Sequence, residues 1–249
     1  MAGKDALRYA MVLAAGLGQR MRPLTDERPK PLILVNGKPL IDYALDCLAD
    51  AGVRKAVVNV HYKAELLEAH LASCKRPEII ISDERAMLMD TGGALMKART
   101  HFPDAPIFYT NTDSIILSGS VNPLLRMKAA WRDAEKDVLL LLTTHTKARG
   151  YSGRGDFHLD PFGKIRRRGE RECAPFIWTG AAVIHPRTLA SCPATPFSTN
   201  LIIDEAIARG RAFGLRHDGA WLHVGTPEAV KTAERLLNDG AQQQRTPPV

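Results

Sequence analysis

A glycine-bearing loop near the start of the chain has residue types suited to binding phosphate. A short apolar run, 10–15, stops at Gly16 and Gly18. Four cations follow: Arg20, Arg22, Arg28 and Lys30. Glycine lets backbone N–H groups approach a phosphate without a Cβ in the way, and arginine and lysine supply positive charge for its oxygens. The dinucleotide-binding fingerprint needs a Gly where this chain has Met21, and the P-loop fingerprint needs a Lys where it has Gln19. A structural loop stiffened by its prolines therefore stays open as the alternative.

Two further polar clusters follow apolar runs. Asp113 comes just after a predicted strand, 107–110, and Thr91 with Gly92 opens a predicted helix. A carboxylate at the tip of a strand suits Mg²⁺, because that ion binds one or two carboxylates together with phosphate oxygens and water. Both clusters also suit helix or turn capping. Beside a phosphate-binding loop we favour metal binding for Asp113. For Gly92, contact of a flat nucleobase with the backbone and ordinary helix entry both stay open.

These clusters need a scaffold that brings them together, and the alternation of apolar runs with amphipathic segments predicts one. The predicted strands are 8–15, 55–60, 78–81, 107–110 and 137–143. The predicted helices between and after them are 39–51, 63–73, 91–100 and 121–133. This alternation predicts a mixed, mostly parallel sheet covered on both faces, an α/β fold with three α/β/α layers. In such sheets ligands lie beyond the carboxyl ends of the strands.

The pattern changes after Arg149, where glycines separate short polar strands. A longer strand at 175–185, a helix at 198–209, two short strands at 211–215 and 221–224, and a last helix at 227–237 complete the prediction. The polar segment 238–249 carries a Pro-Pro pair near its end and is predicted to be a disordered tail. A single domain over 8–237, with an antiparallel-rich later part, is therefore expected.

Taken as one string, residues 13–32 are more specific than their parts. Leu-Ala-Ala-Gly-x-Gly-x-Arg-Met-x-Pro-Leu-Thr, followed by Pro-Lys-Pro-Leu, resembles the signature of the sugar-1-phosphate nucleotidyltransferases. These enzymes join a nucleoside triphosphate to a sugar phosphate and release pyrophosphate. The resemblance extends over 9–237. It implies a Rossmann-like, GT-A-like domain with a nucleotide-binding part at 8–145 and a sugar-phosphate-binding part at 146–237.

The resemblance also implies roles for individual residues. Arg20 would stabilise the leaving pyrophosphate, Lys30 would neutralise the phosphates around the reacting phosphorus, and Asp113 would bind the metal. The implied nucleotide-binding residues are Leu13, Ala14, Ala15, Gly16, Gly18, Gln19, Arg20, Glu84, Thr91, Gly92 and Asn111. The implied sugar-phosphate-binding residues are Lys30, Arg154, Gly155, Asp156, Thr179 and Gly180.

One position departs from the family pattern. Where the family reads Trp-x-Asp-Val-Gly-Thr-Pro-Glu, with an Asp that helps to hold Mg²⁺, this chain has His223. Imidazole is a poor ligand for Mg²⁺ and a better one for Mn²⁺, Co²⁺ or Zn²⁺. Three interpretations stay open: Asp113 holds the metal with phosphates and water, His223 binds a softer ion or donates to a phosphate, or the site is impaired. The expected cofactor is Mg²⁺, with Mn²⁺ as the alternative.

Two later strings narrow the substrate. Gly-Arg-Gly-Asp-Phe at 153–157 and Phe-Ile-Trp-Thr-Gly at 176–180 resemble the branch that uridylylates N-acetylmuramic acid 1-phosphate in peptidoglycan recycling. Arg154 suits the lactyl carboxylate of that sugar, although a plain hairpin turn also explains the first string. The expected partners are UTP, or another nucleoside triphosphate, and a sugar 1-phosphate. The alternatives are a guanylyl- or thymidylyltransferase acting on mannose, heptose or glucose 1-phosphate, and a non-catalytic nucleotide-sugar sensor.

Composition bears on other classes. The 249 residues carry a net charge of +7, but only 6% are aromatic and the cations are scattered outside 164–168, which is typical of a solvated hairpin. We therefore expect small anionic substrates and no nucleic acid. The four cysteines form no Cys-x-x-Cys pair, which disfavours zinc and redox motifs. No apolar run is long enough to span a membrane and no signal peptide is recognisable, so a cytoplasmic protein with no membrane partner is expected. A monomer or a small homo-oligomer is expected.

Overall fold

The structure, a computed structural model, describes residues 7–243, with side chains up to Asp239. In this range the strands are β1 (Tyr9–Leu13), β2 (Leu34–Val35), β3 (Lys38–Pro39), β4 (Lys55–Val60), β5 (Glu78–Asp83), β6 (Ile107–Asn111), β7 (Ser114–Ile116), β8 (Val138–Thr144), β9 (Ala148–Arg149), β10 (Phe157–Leu159), β11 (Ile165–Arg167), β12 (Phe176–Ile184), β13 (Ala212–Arg216) and β14 (Trp221–His223). The α-helices are α1 (Leu40–Asp50), α2 (Ala64–Leu71), α3 (Asp90–Lys97), α4 (Pro123–Ala130), α5 (Asn200–Ala208) and α6 (Pro227–Gln243).

Nine strands of the described range form the central sheet. Strands β5, β4, β1 and β6 are parallel neighbours, and β12 runs antiparallel between β6 and β8. Strand β13 is parallel to β8, whereas β10 and β11 form an antiparallel hairpin on β12. Seven of the nine strands, all except β11 and β12, therefore run in one direction, which confirms the mixed, mostly parallel sheet.

Helices cover both faces of this sheet because successive strand residues point to opposite sides. In β1, Ala10 and Val12 pack in the core beneath α1, α2 and α4. Met11 packs in the second core, beneath α3 and α5. The three-layer α/β/α prediction is therefore confirmed.

The functional edge of the sheet is where the parallel strands end. Because β12 is antiparallel to β6, its N-terminal half comes to the same edge as the carboxyl end of β6. Its pairing with β8 is interrupted between Trp178 and Ala182, where Gly180 has φ +86°. A Cβ on Gly180 would lie 2.9 Å from the Asn111 Nδ2 atom. This bulge bends the strand and places Thr179 and Gly180 beside Asn111.

Most predicted elements lie within a few residues of the observed ones, and β4 matches its prediction. The β2–β3 hairpin and β7 were not predicted, because strands of two or three residues show no periodicity. Helix α4 is shorter than the predicted 121–133. The Asn122 side chain caps its start by accepting from the Leu124 N–H (2.8 Å), and at its end the backbone becomes extended at Trp131. The disordered-tail prediction is wrong for 238–243, where α6 continues as far as Gln243; residues 244–249 lie outside the described part of the chain.

The basic segment 164–168 is the solvated hairpin that its composition indicates. Arg166 pairs with Glu172 (3.3 Å), Arg167 pairs with Asp204, and the Arg168 Nε–H donates to the Gly155 carbonyl (3.0 Å). These arginines thus have partners within the chain. None of the described helices is long and apolar enough to cross a membrane.

Candidate active site

The loop after β1 is held in a shape that leaves backbone accessible. The Ala14 N–H donates to Asn59 Oδ1 (2.7 Å), which fixes the start of the loop. Gly18 has φ +64°, and a Cβ there would lie 2.8 Å from the Thr25 methyl group. The Thr25 hydroxyl donates to the Gly18 carbonyl (3.0 Å). A side chain at Gly18 would therefore strain the turn. In the part of the chain that the structure describes, no atom beyond the two neighbouring residues lies within 4 Å of the Cβ position of Gly16, so a ligand can approach its backbone.

A buried carboxylate supports this loop from below. Glu84 is fully buried, its Oε1 accepts from Asn59 Nδ2 (2.9 Å) and its Oε2 from the Met89 N–H (3.1 Å). Through Asn59 and Ala14, it connects the segments that follow β1 and β5 to β4. The prediction that Glu84 contacts the nucleotide is therefore corrected, because both carboxylate oxygens are occupied beneath the loop. Glu84 positions the loop.

Replacing Glu84 by alanine is expected to lower the free energy of unfolding by about 2–6 kcal/mol. The substitution leaves the Asn59 amide and the Met89 N–H buried without an acceptor, at about 1–3 kcal/mol each. Urea denaturation measures the change, and Glu135→Ala, at an exposed position, is the matched control. Equal stability of the two variants would contradict this role for Glu84.

A first cavity of about 240 Å³ lies above the ends of β1 and β6. The predicted residues that line it are Leu13, Ala14, Ala15, Gly16, Lys30, Thr91, Asn111 and Asp113. Five more lining residues were not predicted: Pro31, Asn59, Leu88, Asp90 and Thr112. Of these, Asn59 had a usable signal, since it is a polar residue inside the apolar run of β4.

A lysine and an aspartate form an ion pair in this cavity. The Lys30 Nζ atom lies 3.3 Å from Asp113 Oδ2, and the two side chains are 14% and 30% exposed. The Asp113 carbonyl accepts from the Val224 N–H (2.8 Å), and β14 pairs with β7 so that His223 lies opposite Ser114. The last short strand therefore brings His223 beside the Lys30–Asp113 pair.

His223 offers a neutral imidazole to this site. Burial lowers its pKa; Asp113 opposes this shift, and the charges of Lys30 and Arg20 add to it. Among the described residues, its buried Nδ1 atom has no hydrogen-bond partner, and a Cβ on Gly225 would lie 2.7 Å from its Nε2. One part-exposed carboxylate meets the needs of Mg²⁺ when phosphate oxygens and water complete its shell, and a neutral imidazole suits Mn²⁺ better. The residues present thus fit a divalent ion.

A second cavity of about 160 Å³ adjoins the first. The predicted residues that line it are Asn111, Asp113, Asp156, Thr179, Gly180 and His223. Tyr151, Trp178 and Trp221 also line it and were not predicted as site residues. The Trp221 ring centroid lies 5.5 Å from that of His223 and 6.0 Å from that of Tyr151, which makes one wall aromatic. Flat rings beside hydrogen-bonding groups suit a sugar ring.

Asp156 is the carboxylate at the base of this second cavity. Its Oδ2 accepts from the Trp178 N–H (2.9 Å). Burial raises its pKa, while the Trp178 hydrogen bond and the charges of Arg168 and Arg167 act in the opposite direction. The net result is a carboxyl group that ionises less readily than in water.

The free energy of unfolding of the Asp156→Asn variant, relative to that of the wild type, is expected to increase as the pH rises. The unfolded carboxyl ionises near its ordinary value of about 3.8, whereas the folded one ionises at higher pH. The folded wild type therefore binds more protons in that window, so its stability relative to the variant falls from about pH 3.8 through the raised pKa and then levels off. Urea denaturation of both proteins across this pH range measures the difference. A difference that does not vary with pH would contradict a raised pKa.

Several predicted residues do not line either cavity. These are Gly18, Gln19, Arg20, Glu84, Gly92, Arg154 and Gly155. Gly92 serves packing: its N–H donates to the Phe197 carbonyl (2.8 Å), and a Cβ would lie 2.4 Å from the Phe197 ring. The nucleobase contact through Gly92 stays a prediction. The side chains of Arg20 and Arg154 are exposed. Arg20 is close in sequence to residues that line the first cavity and Arg154 to residues that line the second, but neither arginine lines a cavity itself.

Comparison with known proteins connects this geometry to a family. The family model described as nucleotidyl transferase matches residues 9–154, more than half of the chain. The chain belongs to the nucleotidyl transferase family. It is 42% identical over 237 residues to the N-acetylmuramate alpha-1-phosphate uridylyltransferase of Caulobacter vibrioides, covering 94% of this chain and 98% of that protein.

A second relative and a solved structure are less similar to this chain. The N-acetylmuramate alpha-1-phosphate uridylyltransferase of Neisseria meningitidis is 30% identical, covering 91% of this chain and 97% of that protein. The structure of the inositol-1-phosphate CTP transferase from T. maritima superposes with a TM-score of 0.75 at 18% identity, covering 96% of this chain and 99% of that one. The resemblance to the sugar-1-phosphate nucleotidyltransferases is thereby confirmed, and the chain is an enzyme of this family.

Proposed function

We propose that this nucleotidyl transferase joins UTP to N-acetylmuramic acid 1-phosphate, giving UDP-N-acetylmuramic acid and pyrophosphate, a step of peptidoglycan recycling. The observation that carries the proposal is the position of the Lys30–Asp113 pair where the two cavities meet, since Asn111 and Asp113 line both. A nucleotide in the first cavity and a sugar phosphate in the second would bring their phosphates together at this pair. The 42% identity to the Caulobacter enzyme supports the choice of base and sugar.

The reaction is an in-line attack of a sugar-phosphate oxygen on the α-phosphorus of UTP. The bond from the α-phosphorus to the oxygen that bridges to the β-phosphate breaks, and pyrophosphate leaves. The nucleophile is a phosphate monoester with a second pKa of about 6, so at pH 7 it is mostly dianionic and needs no general base. The residues contribute position and charge, which dominate catalysis of phosphoryl transfer.

The residues in and beside the first cavity have separate tasks in this mechanism. The backbone at Gly16 faces the triphosphate, and Lys30 neutralises charge that develops around the α-phosphorus. Arg20, exposed beside the glycine loop, stabilises the leaving pyrophosphate. Asp113, with His223 beside it, would hold a divalent ion, Mg²⁺ or Mn²⁺, which when bound supplies Lewis-acid stabilisation of the phosphate oxygens.

Arg154 is proposed to recognise the lactyl carboxylate at the mouth of the second cavity. Its side chain is exposed two residues from Asp156, which lines that cavity. Its carbonyl accepts from the Ala174 N–H (2.8 Å), and a Cβ on the adjacent Gly155 would lie 2.1 Å from the Ala174 carbonyl oxygen. The backbone of this turn is therefore fixed, so the position from which the Arg154 side chain extends is defined.

The substitution Arg154→Ala is expected to raise the KM for N-acetylmuramic acid 1-phosphate by roughly 10- to 100-fold, the value of one charged hydrogen bond. N-acetylglucosamine 1-phosphate lacks the lactyl carboxylate, so its KM is expected to stay unchanged. Steady-state kinetics with both sugars test this, and Arg171→Ala, another exposed arginine of the same region, is the control. An equal rise for both sugars would contradict carboxylate recognition.

Pyrophosphate release tests the proposed function directly. Each of the four ribonucleoside triphosphates and dTTP is paired with N-acetylmuramic acid 1-phosphate and with glucose, mannose and heptose 1-phosphates, in Mg²⁺ and in Mn²⁺. Turnover with UTP and the muramyl phosphate is expected. Turnover with a different pair would overturn the assigned substrates, and nucleotide binding without turnover in either metal would overturn catalysis by this chain.

A further inference from the structure

Away from both cavities, helices α1 and α2 bring three different metal-binding side chains together. The His70 Nε2 atom lies 2.7 Å from Asp42 Oδ1. One ligand atom from each of Asp42, His70 and Cys74 lies within 4.8 Å of the other two. Asp42 and Asp46 are four residues apart on α1, and His70 and Cys74 have the same spacing across the end of α2. His70 is in the last turn of α2 and Cys74 follows the end of that helix, and the contact between His70 and Asp42 brings this segment against α1.

We propose that Asp42, His70 and Cys74 form a binding site for a zinc-type divalent ion. Zn²⁺ accepts oxygen, nitrogen and sulfur ligands at about 2.0–2.3 Å, whereas Mg²⁺ and Ca²⁺ prefer oxygen alone. Ligands around one such tetrahedral ion lie about 3–4 Å apart, so small side-chain rotations suffice from the present distances. Water or the Asp46 carboxylate would complete the coordination.

The charges around the cluster favour a cation. Burial and the carboxylates of Asp42 and Asp46 raise the pKa of the Cys74 thiol. Lys38 pairs with Asp46, and His70 contacts Asp42. Without a metal the thiol keeps its proton, which argues against a thiolate nucleophile. On metal binding the Cys74 thiol releases its proton to solvent, and the ion offsets the two carboxylates.

Partial exposure lets an ion reach these residues. The side chains of His70 and Asp42 are 26% and 25% exposed, and Cys74 is also partly exposed. Cys47, on helix α1, is not part of the cluster, and its Sγ atom lies 3.8 Å from Asn122 Oδ1. The cluster is therefore an accessible set of three donors.

Titration of the chelator-treated full chain with Co²⁺ tests the site, because a thiolate bound to Co²⁺ absorbs in the near ultraviolet. Neither cavity includes a cysteine among its described lining residues, so the band is specific for a thiolate site. The wild type and Cys173→Ser, the control at an exposed cysteine, are expected to show the band, and Cys74→Ser is expected to lack it. Absence of the band in the wild type, or its persistence in Cys74→Ser, would overturn the proposal.

Competition with a chromophoric chelator gives the Zn²⁺ affinity of each variant. His70→Gln is expected to weaken binding by about 100-fold or more, beyond the 10–100-fold typical of losing an outer-shell contact. Asp113→Asn is expected to leave the cobalt band unchanged, which separates this site from the active site. Circular dichroism without metal verifies that each variant is folded. An affinity equal to that of the wild type in folded His70→Gln would also overturn the proposal.

Discussion

The substitution Lys30→Ala is expected to lower kcat by on the order of 10²-fold or more, the typical loss when one aligned electrostatic contact is removed. Lys30 is only 14% exposed, and its ammonium group lies 3.3 Å from the Asp113 carboxylate at the junction of the two cavities. Its charge is therefore held where the phosphates of the two substrates would meet. Alanine removes that charge and also leaves Asp113 as an uncompensated negative group beside an anionic transition state.

Pyrophosphate release under saturating substrates measures this effect. Lys231→Ala removes an exposed lysine from α6 and is expected to keep the turnover of the wild type, so a general loss of positive charge is controlled. Lys30→Arg restores the charge with a different shape and is expected to recover part of the activity. Turnover of Lys30→Ala close to that of the wild type would refute the catalytic assignment.

The substitution Asp113→Asn is expected to reduce kcat by a similar factor, on the order of 10²-fold, and to raise the Mg²⁺ concentration that gives half-maximal activity. Asparagine can still accept the Lys30 hydrogen bond, so the fold is expected to be preserved, but it lacks the charge that a hard cation prefers. Because His223 stays beside it, activity in Mn²⁺ is expected to fall less than activity in Mg²⁺.

Metal titrations of activity with both ions measure these changes. Asp239→Asn, near the end of α6, is the matched control and is expected to behave like the wild type. In the double variant with Lys30→Ala the losses are expected to be less than additive, since the two groups act as a pair. An unchanged metal requirement in Asp113→Asn would show that this carboxylate does not hold the ion.

The sheet and the position of the site could be predicted because their signals are local. An apolar run that ends at a glycine or an aspartate marks a strand and the side of the sheet where its loop lies. This is why the loop at Gly16 and the carboxylate of Asp113 were both expected at one edge. Thr91 and Asn111, two of the predicted nucleotide-binding residues, both line the first cavity.

Contacts between residues far apart in the chain were not predictable in this way. Glu84 resembled a ligand-binding residue, yet its carboxylate oxygens accept hydrogen bonds from Asn59 and Met89. Gly92 resembled a nucleobase platform, yet its missing Cβ makes room for Phe197. A single sequence indicates which residues are polar or small, but it does not say which partner satisfies the hydrogen bond or fills the space.

Strand β12 has a consequence for how the protein folds. It is formed by residues 176–184, but it lies between β6 and β8, both of which end before residue 145. A fragment ending at residue 145 would leave the facing edges of β6 and β8 without their partner, and unpaired edges invite association with other chains. The nucleotide side and the sugar side thus share one continuous sheet, in which the later residues supply the strand between β6 and β8.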